Sequence, residues 1–528
     1  MSGIEMIALG DATLKSTEAD MAVMRHMGKR QQLQRIFGFF PTLALSLTLL
    51  ASWEALASGF AAGLSNGGPV VIVYGMILTI IGTLALAASL SEMASICPIS
   101  GAQYHWTFLF APSSAAAFIT WMQGWITVFA KQATATSIVF LTATQIQGVI
   151  ILNYDTYVPQ GWHGTLLMWA VLLTLLVTNV WGIRFLPMIE LIGGICHVVF
   201  YVMVLVTLVV LAPRSSASFV FTEFVNGGQW ASDGVSWCVG LLTVVYCFVG
   251  FDGAIHMSEE VKDSATTIPK VIMLTILING TLAFGFAICL LFTLGNIKEI
   301  LSTNTGYPII AIFYQATGSK AAATAMMAGI IIIAFSSGFA LLASVSRLTF
   351  AFARDGGMPF SAFFAYVDPH YHIPLRSVGL VSVVIMLLSL INIGSTIALY
   401  AVLSLSSLAL YVSYLIPISL LVIKRLRKQE VQFGPFNLGR WGLWINLFAV
   451  AFGIFIIIFL PFPAQPNVDA SALNWAGPLF GFLLLLALAD WLFRGRFYYK
   501  GPSQEIGGAE ELKYDNGVEI SAQHAKSR

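Results

Sequence analysis

Five titratable residues lie inside long apolar segments of this sequence, where they could do chemistry: Glu54, Lys131, Glu190, His197 and Asp252. Charged groups are costly in lipid, so inside a membrane they mark ion or substrate pathways. The carboxylates could attract a cation. The imidazole titrates at about pH 6.5 and could carry a proton through a working cycle. These residue types therefore predict cation binding and proton transfer.

Two of the acids stand where their apolar segments are expected to break. Glu54 lies near the middle of the first segment, beside Trp53. Asp252 lies in the sixth segment, between Gly250 and Gly253. Glycine adopts non-helical dihedrals at little cost, so we expect the sixth segment to unwind there. Interrupted helices at corresponding positions of two halves are the best sequence pointer to a transporter's substrate site.

The predicted binding site follows from these breaks, because a break frees backbone groups. Amides near 51–53 would hold a carboxylate, as helix N-termini hold anions. Carbonyls near 248–251 would hold an ammonium group, and nearby aromatic rings could offer their faces to a cation. The predicted substrate-binding residues are Ala51, Ser52, Trp53, Glu54, Tyr246, Phe248, Gly250, Phe251 and Asp252.

Each of these features also has a structural interpretation. Mid-helix glycines serve close helix packing, and Glu54 could form an ion pair with Lys131 that only locks two helices together. His197 could be a hydrogen-bonded link between helices. The loops contain no His, Asp and Glu cluster with metal or triad spacing, and no repeated filter sequence. An enzyme, a bound cofactor and a channel are therefore not expected.

The composition places these residues in a membrane protein. Of the 528 residues, 58% are hydrophobic and only 10% are charged, whereas a soluble domain carries about 25% charged residues. About twelve apolar stretches have the roughly 20 residues that a membrane-spanning helix needs. The predicted fold class is an all-α polytopic membrane protein. The stretches are 42–64, 70–96, 115–147, 164–182, 186–212, 234–257, 270–295, 321–352, 375–394, 396–423, 441–462 and 475–494.

The distribution of Lys and Arg predicts how the chain crosses the membrane. With the N-terminus in the cytosol, most of the 26 Lys and Arg residues fall on the cytosolic side, as the positive-inside rule requires. This supports an even number of helices and two cytosolic termini. The predicted organisation is a cytosolic tail at 1–38, a transmembrane domain at 39–495 and a cytosolic tail at 496–528. Both tails are polar and expected to be disordered.

Several motifs resemble those of the amino acid–polyamine–organocation (APC) transporters. The sixth segment and the loop after it read FVGFDGAIHMSEEVKDSATTIPK, and the second segment ends in SLSEMASICPISGAQYHW. The eighth segment ends in SRLTFAFARDGGMPF. The stretch SWEALASGFAAGLSNGGPVVIVYG is similar to the fungal branch that includes GABA permeases and choline transporters. Ala102 departs from the family's pattern, which has a glycine at that position.

The resemblance implies a LeuT-like fold and a working cycle. It implies a five-plus-five inverted repeat with helices 1 and 6 broken around a central site, two extra C-terminal helices, and alternating access. Proton-coupled relatives place a lysine on the fifth helix, and counting from Gly182 that position falls on His197. Ser336 and Ser337 lie where sodium-coupled relatives supply hydroxyl ligands, although hydroxyls also bond carbonyls of their own helix. The predicted proton-coupling residues are His197, Glu190 and Lys131.

The predicted function is import of an amino acid, a GABA-like solute or another small amine by proton symport. The alternatives are a choline or quaternary amine transporter, and a nutrient receptor that keeps the transporter fold. The predicted partners are the solute, protons and the lipid bilayer, with no nucleic acid and no cofactor. Analogy with the family predicts the plasma membrane as the location, with a vacuolar membrane as the alternative.

Overall fold

Twelve helices long and apolar enough to cross a membrane occur in the part of the chain that the structure describes. The structure is a computed structural model, and it describes residues 18–295, 300–469 and 473–503. Every predicted stretch falls on one of the twelve helices, so the all-α polytopic prediction is confirmed. In chain order, α1 to α12 are Phe39–Ser65, Pro69–Ile96, Ala116–Asn153, Gly161–Val180, Ile183–Leu211, Asp233–Glu260, Ser264–Phe292, Lys320–Arg354, Leu375–Gly394, Ser404–Leu426, Gly439–Phe459 and Ala476–Tyr498.

The spans are helical because a helix satisfies its own backbone hydrogen bonds, which lipid cannot do. Their side chains divide between lipid and neighbouring helices. On α5, Ile195, Val199 and Val206 are exposed along one side, while Glu190 and His197 are fully buried on the other. This helix therefore presents an apolar face to lipid and its two titratable groups to the interior of the bundle.

Two of the twelve helices are interrupted near the middle of their length, as the sequence predicts. α1 breaks at Ala51 and α6 breaks after Tyr246, with Gly250 in the left-handed region. The first and sixth positions are those that a five-plus-five arrangement requires. The four halves are α1a (Phe39–Leu50), α1b (Ser52–Ser65), α6a (Asp233–Tyr246) and α6b (Phe251–Glu260).

The two breaks have different causes. Gly250 has a φ of 93°, which glycine adopts without a steric penalty, so α6 unwinds because of its own sequence. Ala51 has a φ of 42°, which strains a residue that carries a Cβ. Asn279 of α7 supports this second break, because its side-chain amide donates to the Leu47 carbonyl (3.2 Å) and accepts from the Ser52 amide (3.4 Å).

The described terminal segments, residues 18–38 before α1 and residues 499–503 after α12, meet at one end of the bundle. We call this the terminal end. Lys29 donates to the Ser503 hydroxyl (3.2 Å), as expected for an even number of spans. The prediction of a disordered tail at 1–38 is wrong for residues 18–38, because Lys29 and Arg35 are buried. Arg35 donates to the Ser258 carbonyl (3.3 Å) near the negative end of α6b. Residues 1–17 of this tail, and residues 504–528 of the predicted C-terminal tail, lie outside the described residues.

Candidate functional site

A cavity of about 80 Å³ lies between the two interrupted helices, and we call it the central cavity. α1 contributes Ala51 and Glu54 to its wall, and α6 contributes Tyr246 and Gly250. The structure thus brings together predicted site residues that are almost 200 positions apart in the sequence. Further polar side chains in the wall are Thr134, Ser137, Gln145, Ser337 and Ser406.

A second cavity, of about 600 Å³, adjoins the central cavity on the side away from the terminal end. Ser137, Leu141 and Tyr246 belong to the walls of both cavities. The larger one, which we call the vestibule, extends to the loop residues 304–307 and to Asn474. The central cavity is therefore approached from the end of the bundle opposite the terminal segments.

Buried ion pairs close the terminal end of the bundle. Arg354 at the end of α8 donates two hydrogen bonds of 2.9 Å to Glu259 of α6b. Two helical turns earlier on α8, the Nε atom of Arg347 lies 2.6 Å from Oε1 of Glu260. These contacts join α6b to α8 beneath the central cavity, so this conformation is open on the vestibule side and closed on the terminal side.

Glu54 pairs with His197, so the alternative interpretation of Glu54 as the ion-pair partner of Lys131 is wrong. The Oε1 atom of Glu54 lies 2.7 Å from Nδ1 of His197. The carboxylate thus contacts α5, whereas Lys131 of α3 pairs with another acid. The other oxygen, Oε2, is buried and has no hydrogen-bond partner among the described residues. Glu54, which lines the central cavity, therefore has one carboxylate oxygen without a donor.

Lys131 pairs with Asp252 in a buried cluster on the terminal side of the central cavity. Its Nζ atom lies 2.5 Å from Oδ1 of Asp252, which also accepts from the Tyr414 hydroxyl (2.6 Å). Gln103 donates to Oδ2 (2.6 Å), and Nε2 of His256 lies 3.3 Å from the same oxygen. Neither Lys131 nor Asp252 lines the cavity. This cluster fixes the start of α6b and leaves the aspartate surrounded by protein donors.

Glu190 of α5 is a buried acid that forms no ion pair with a described residue. Its Oε2 atom accepts from the hydroxyls of Thr48 on α1a (3.0 Å) and Ser336 on α8 (3.2 Å). Its Oε1 atom has no partner in the described part of the chain. The three helices approach closely because Gly193, one turn later, packs where a Cβ would overlap the Ser336 hydroxyl. Glu190 thus lies at a junction of α1, α5 and α8.

The two serines that resemble sodium ligands both have protein partners. Ser336 donates to Glu190, and Ser337 donates to the Leu49 carbonyl of α1a (3.1 Å). The described residues contain no group of three or more His, Cys, Asp or Glu side chains that could hold a metal ion. The serines therefore link α8 to α1 and α5, and their role as sodium ligands stays a prediction.

The break in α1 offers fewer unpaired amides than the sequence predicts. The amide of Ala51 donates to the Leu47 carbonyl (2.9 Å), and that of Ser52 donates to Asn279 (3.4 Å). Two of the three amides predicted to hold a carboxylate therefore already have acceptors. Glu54 also lies in the first turn of α1b, where its own charge offsets the positive end of the helix.

Of the four aromatic residues predicted at the site, only Tyr246 lines the central cavity or the vestibule. Its side chain is half-exposed. Trp53 is fully buried behind α1b, with its ring 5.4 Å from that of Phe286. Phe248 and Phe251 are buried as well. The last three therefore pack the surroundings of the two breaks and offer no face to the cavity.

Comparison with known proteins identifies the family. The amino acid permease family matches residues 37–485, which is most of the chain. The chain belongs to this family. The permease therefore has the APC membership that its motifs indicate, and the prediction that it is a transporter and not an enzyme is confirmed.

Three relatives show the range of proteins that this permease resembles. It is 28% identical to the choline transporter of Saccharomyces cerevisiae, over 92% of this chain and 86% of that protein. It is 29% identical to the amino-acid permease BAT1 of Arabidopsis thaliana, over 92% of this chain and 96% of that protein. It is 27% identical to amino-acid permease 2 of Neurospora crassa, over 97% of this chain and 94% of that protein. These similarities support transport of amino acids or organocations.

Sequence reasoning missed several polar residues that the permease uses inside the bundle. Asn279 supports the α1 break, and Tyr414 and Gln103 hold Asp252. Asn279 carries a usable signal, because it is a lone amide in an apolar segment and a buried amide needs partners. Gln103 lies outside the apolar stretches, so its contact with Asp252 has no signal in the sequence.

Proposed function

We propose that this permease imports a small amine-bearing solute by proton symport, with alternating access at the central cavity. The observation that carries the proposal is the position of that cavity between the breaks at Ala51 and Gly250. The cavity adjoins the vestibule on one side, while ion pairs between α6b and α8 close the other. A site at the interrupted helices, open at one end only, is what alternating access requires.

The solute's positive group is assigned to the space between Glu54 and the α6 break. Glu54 supplies a charge, and Val249 and Gly250 bring the unwound backbone of α6 to the same cavity. The ring of Tyr246 offers a face that a cation can approach. Ser52 acts indirectly, because its hydroxyl donates to the Cys247 carbonyl (2.7 Å) and so joins the two breaks.

The coupling proton is assigned to Glu190. An acid buried without a counter-charge is stable only when it binds a proton or another cation. Its partners Thr48 and Ser336 belong to α1a and α8, so a change in its charge would act on the contact between these helices. The other predicted carriers, His197 and Lys131, each contact an acid already and receive positioning roles.

The terminal end is assigned to the cytosol because the excess of Lys and Arg lies there. On this assignment the vestibule faces the outside and the conformation is ready to receive solute. The domain boundaries stay as proposed from the sequence, except that the last helix continues to Tyr498, beyond residue 495. By family analogy the membrane is the plasma membrane, with a vacuolar membrane as the alternative.

Uptake into proteoliposomes tests this function. The purified permease is reconstituted and given labelled choline, ethanolamine, alanine, GABA or arginine, with an imposed pH gradient, an imposed sodium gradient, or neither. We expect the pH gradient to drive accumulation of at least one solute, with no requirement for sodium. Empty liposomes are the control for leakage.

Two results would contradict the proposal. Sodium-driven uptake that is independent of pH would show that sodium, and not a proton on Glu190, is the coupling ion. Ser336 and Ser337 would then be the candidate sodium ligands. Solute binding without flux under any gradient would instead favour the receptor alternative.

A further inference from the structure

A single residue carries the charge of the solute pathway. Among the described residues, Glu54 is the only Asp, Glu, Lys or Arg in the wall of the central cavity, and the vestibule has none. The nearby Lys131 is neutralised by Asp252 and points away from the cavity. A solute that enters by this route meets the carboxylate of Glu54, which His197 contacts from behind the wall, and no Lys or Arg side chain.

The place where a solute carboxylate would be expected is already used by the protein. The amides of Ala51 and Ser52 at the start of α1b donate to protein acceptors. The carboxylate of Glu54 lies in the same first turn. A second carboxylate bound there would lie beside it, and two like charges in apolar surroundings repel strongly. The cavity therefore disfavours solutes that carry a carboxylate.

We propose that the central cavity selects small organic monocations that lack a carboxylate, with Glu54 as their counter-ion. The proposal rests on the proposed function, because it names the solute class of the same cavity. His197 holds Oε1 of Glu54 at 2.7 Å, while Oε2 is buried without a partner. One oxygen thus orients the carboxylate and the other remains for a ligand. Tyr246 adds an aromatic face, which suits ammonium and quaternary cations alike.

Matched pairs of solutes that differ by a carboxylate test the proposal. Choline is compared with glycine betaine, and ethanolamine with glycine. Binding of each unlabelled compound to the full-length permease in lipid nanodiscs is measured as stabilisation against thermal unfolding, which reports ligand affinity. We expect each cation to bind at least about tenfold more tightly than its carboxylate partner, because a charge-assisted contact to a buried acid is replaced by repulsion.

Variants show whether Glu54 is responsible. Glu54→Gln should weaken cation binding about ten- to hundredfold, the loss expected for one charge-assisted contact. Glu54→Asp keeps the charge and should retain the preference for cations, which covers the case in which Glu54→Gln fails to fold. Asp155→Asn is the matched control, because Asp155 is an exposed acid paired with Lys320 and lines neither cavity.

Three results would overturn the proposal. Glycine betaine or glycine could bind as tightly as its partner, cation binding could survive Glu54→Gln unchanged, or none of the four solutes could bind. The proposed function fails differently, through the absence of gradient-driven uptake in proteoliposomes. A permease that accumulates GABA but binds neither cation would refute the selectivity and leave the transport function standing.

Discussion

Lys131 and Asp252 form an ion pair of 2.5 Å in which both side chains are completely buried. The lysine comes from α3 and the aspartate from the first turn of α6b, so the contact ties the α6 break to a neighbouring helix. Each residue alone, seen in the sequence, looks like a substrate or proton group. Together they form a neutral structural unit beneath the central cavity.

A double-mutant cycle tests this pairing. Lys131→Met and Asp252→Asn should each destabilise the permease by about 3–5 kcal/mol, because each leaves one buried charge without its partner. The double variant should lose less free energy of unfolding than the sum of the two single losses. Thermal unfolding of the purified protein in nanodiscs measures all four forms. The pair Lys131→Met with Glu54→Gln is the control and should be additive, and additivity in the first cycle would rule out the pairing.

His197 should act as a positioning residue for Glu54. His197→Ala removes the donor to Oε1 of Glu54. We therefore expect KM for the transported cation to rise about tenfold, which corresponds to a loss of roughly 1.4 kcal/mol in binding free energy, with a smaller change in kcat. His197→Asn keeps a side-chain donor and should recover part of the loss. Initial uptake rates over a range of solute concentrations give both constants. A loss confined to kcat would argue instead that His197 carries the coupling proton.

Glu190→Gln should separate exchange from driven uptake. The amide keeps the hydrogen bonds to Thr48 and Ser336 but cannot change its charge. We expect pH-driven accumulation to fall at least about tenfold, a change of about 1.4 kcal/mol in coupling. Exchange of internal for external solute should continue. Proteoliposomes loaded with unlabelled solute measure exchange, and those with an imposed pH gradient measure accumulation.

Asp155→Asn is the control for the loss of one acid. A Glu190→Gln permease that still accumulates solute against its gradient when the pH gradient is imposed would show that another group carries the proton. Glu54 and His197 would then be the next candidates.

Asp355 joins both terminal segments to the end of α8. It pairs with Lys29 and accepts from the Tyr104 hydroxyl (2.8 Å) and from the Ser503 amide (3.1 Å) and hydroxyl (3.0 Å). Although burial opposes it, the charges of His105 and Lys29 hold the pKa of Asp355 well below its usual range. Its contribution to stability is therefore present above the unfolded pKa of about 3.9 and persists at neutral pH.

Ser503→Asp should loosen this end of the bundle, because it places a second carboxylate beside Asp355. We expect faster hydrogen exchange in α6b, whose opening exposes its amides. Ser503→Ala removes the hydroxyl contact without adding charge and should have a smaller effect. Exchange followed by mass spectrometry on peptides that cover α6b gives the comparison. Equal protection in all three proteins would show that the C-terminal segment does not stabilise the closed terminal end.

The sequence by itself determined the membrane class, the twelve spans and the interruption of α6, whereas the break in α1 also depends on Asn279 of α7. The first three of these features follow from local properties. A span needs only a sufficient run of apolar residues, since a helix satisfies its backbone hydrogen bonds without help from other segments. The break in α6 likewise follows from Gly250, whose dihedral costs little in the chain itself.

Only the tertiary structure decided which charges meet. Hydropathy gives neither the rotation of a helix nor its neighbours, and the sequence offered only Glu54 as a partner for Lys131. In the folded chain α3 turns it to Asp252, while α5 brings His197 to Glu54. Buried charges contact their partners through side chains from helices far apart in sequence. Their pairing, and with it the charge of the central cavity, therefore depends on packing that no local pattern records.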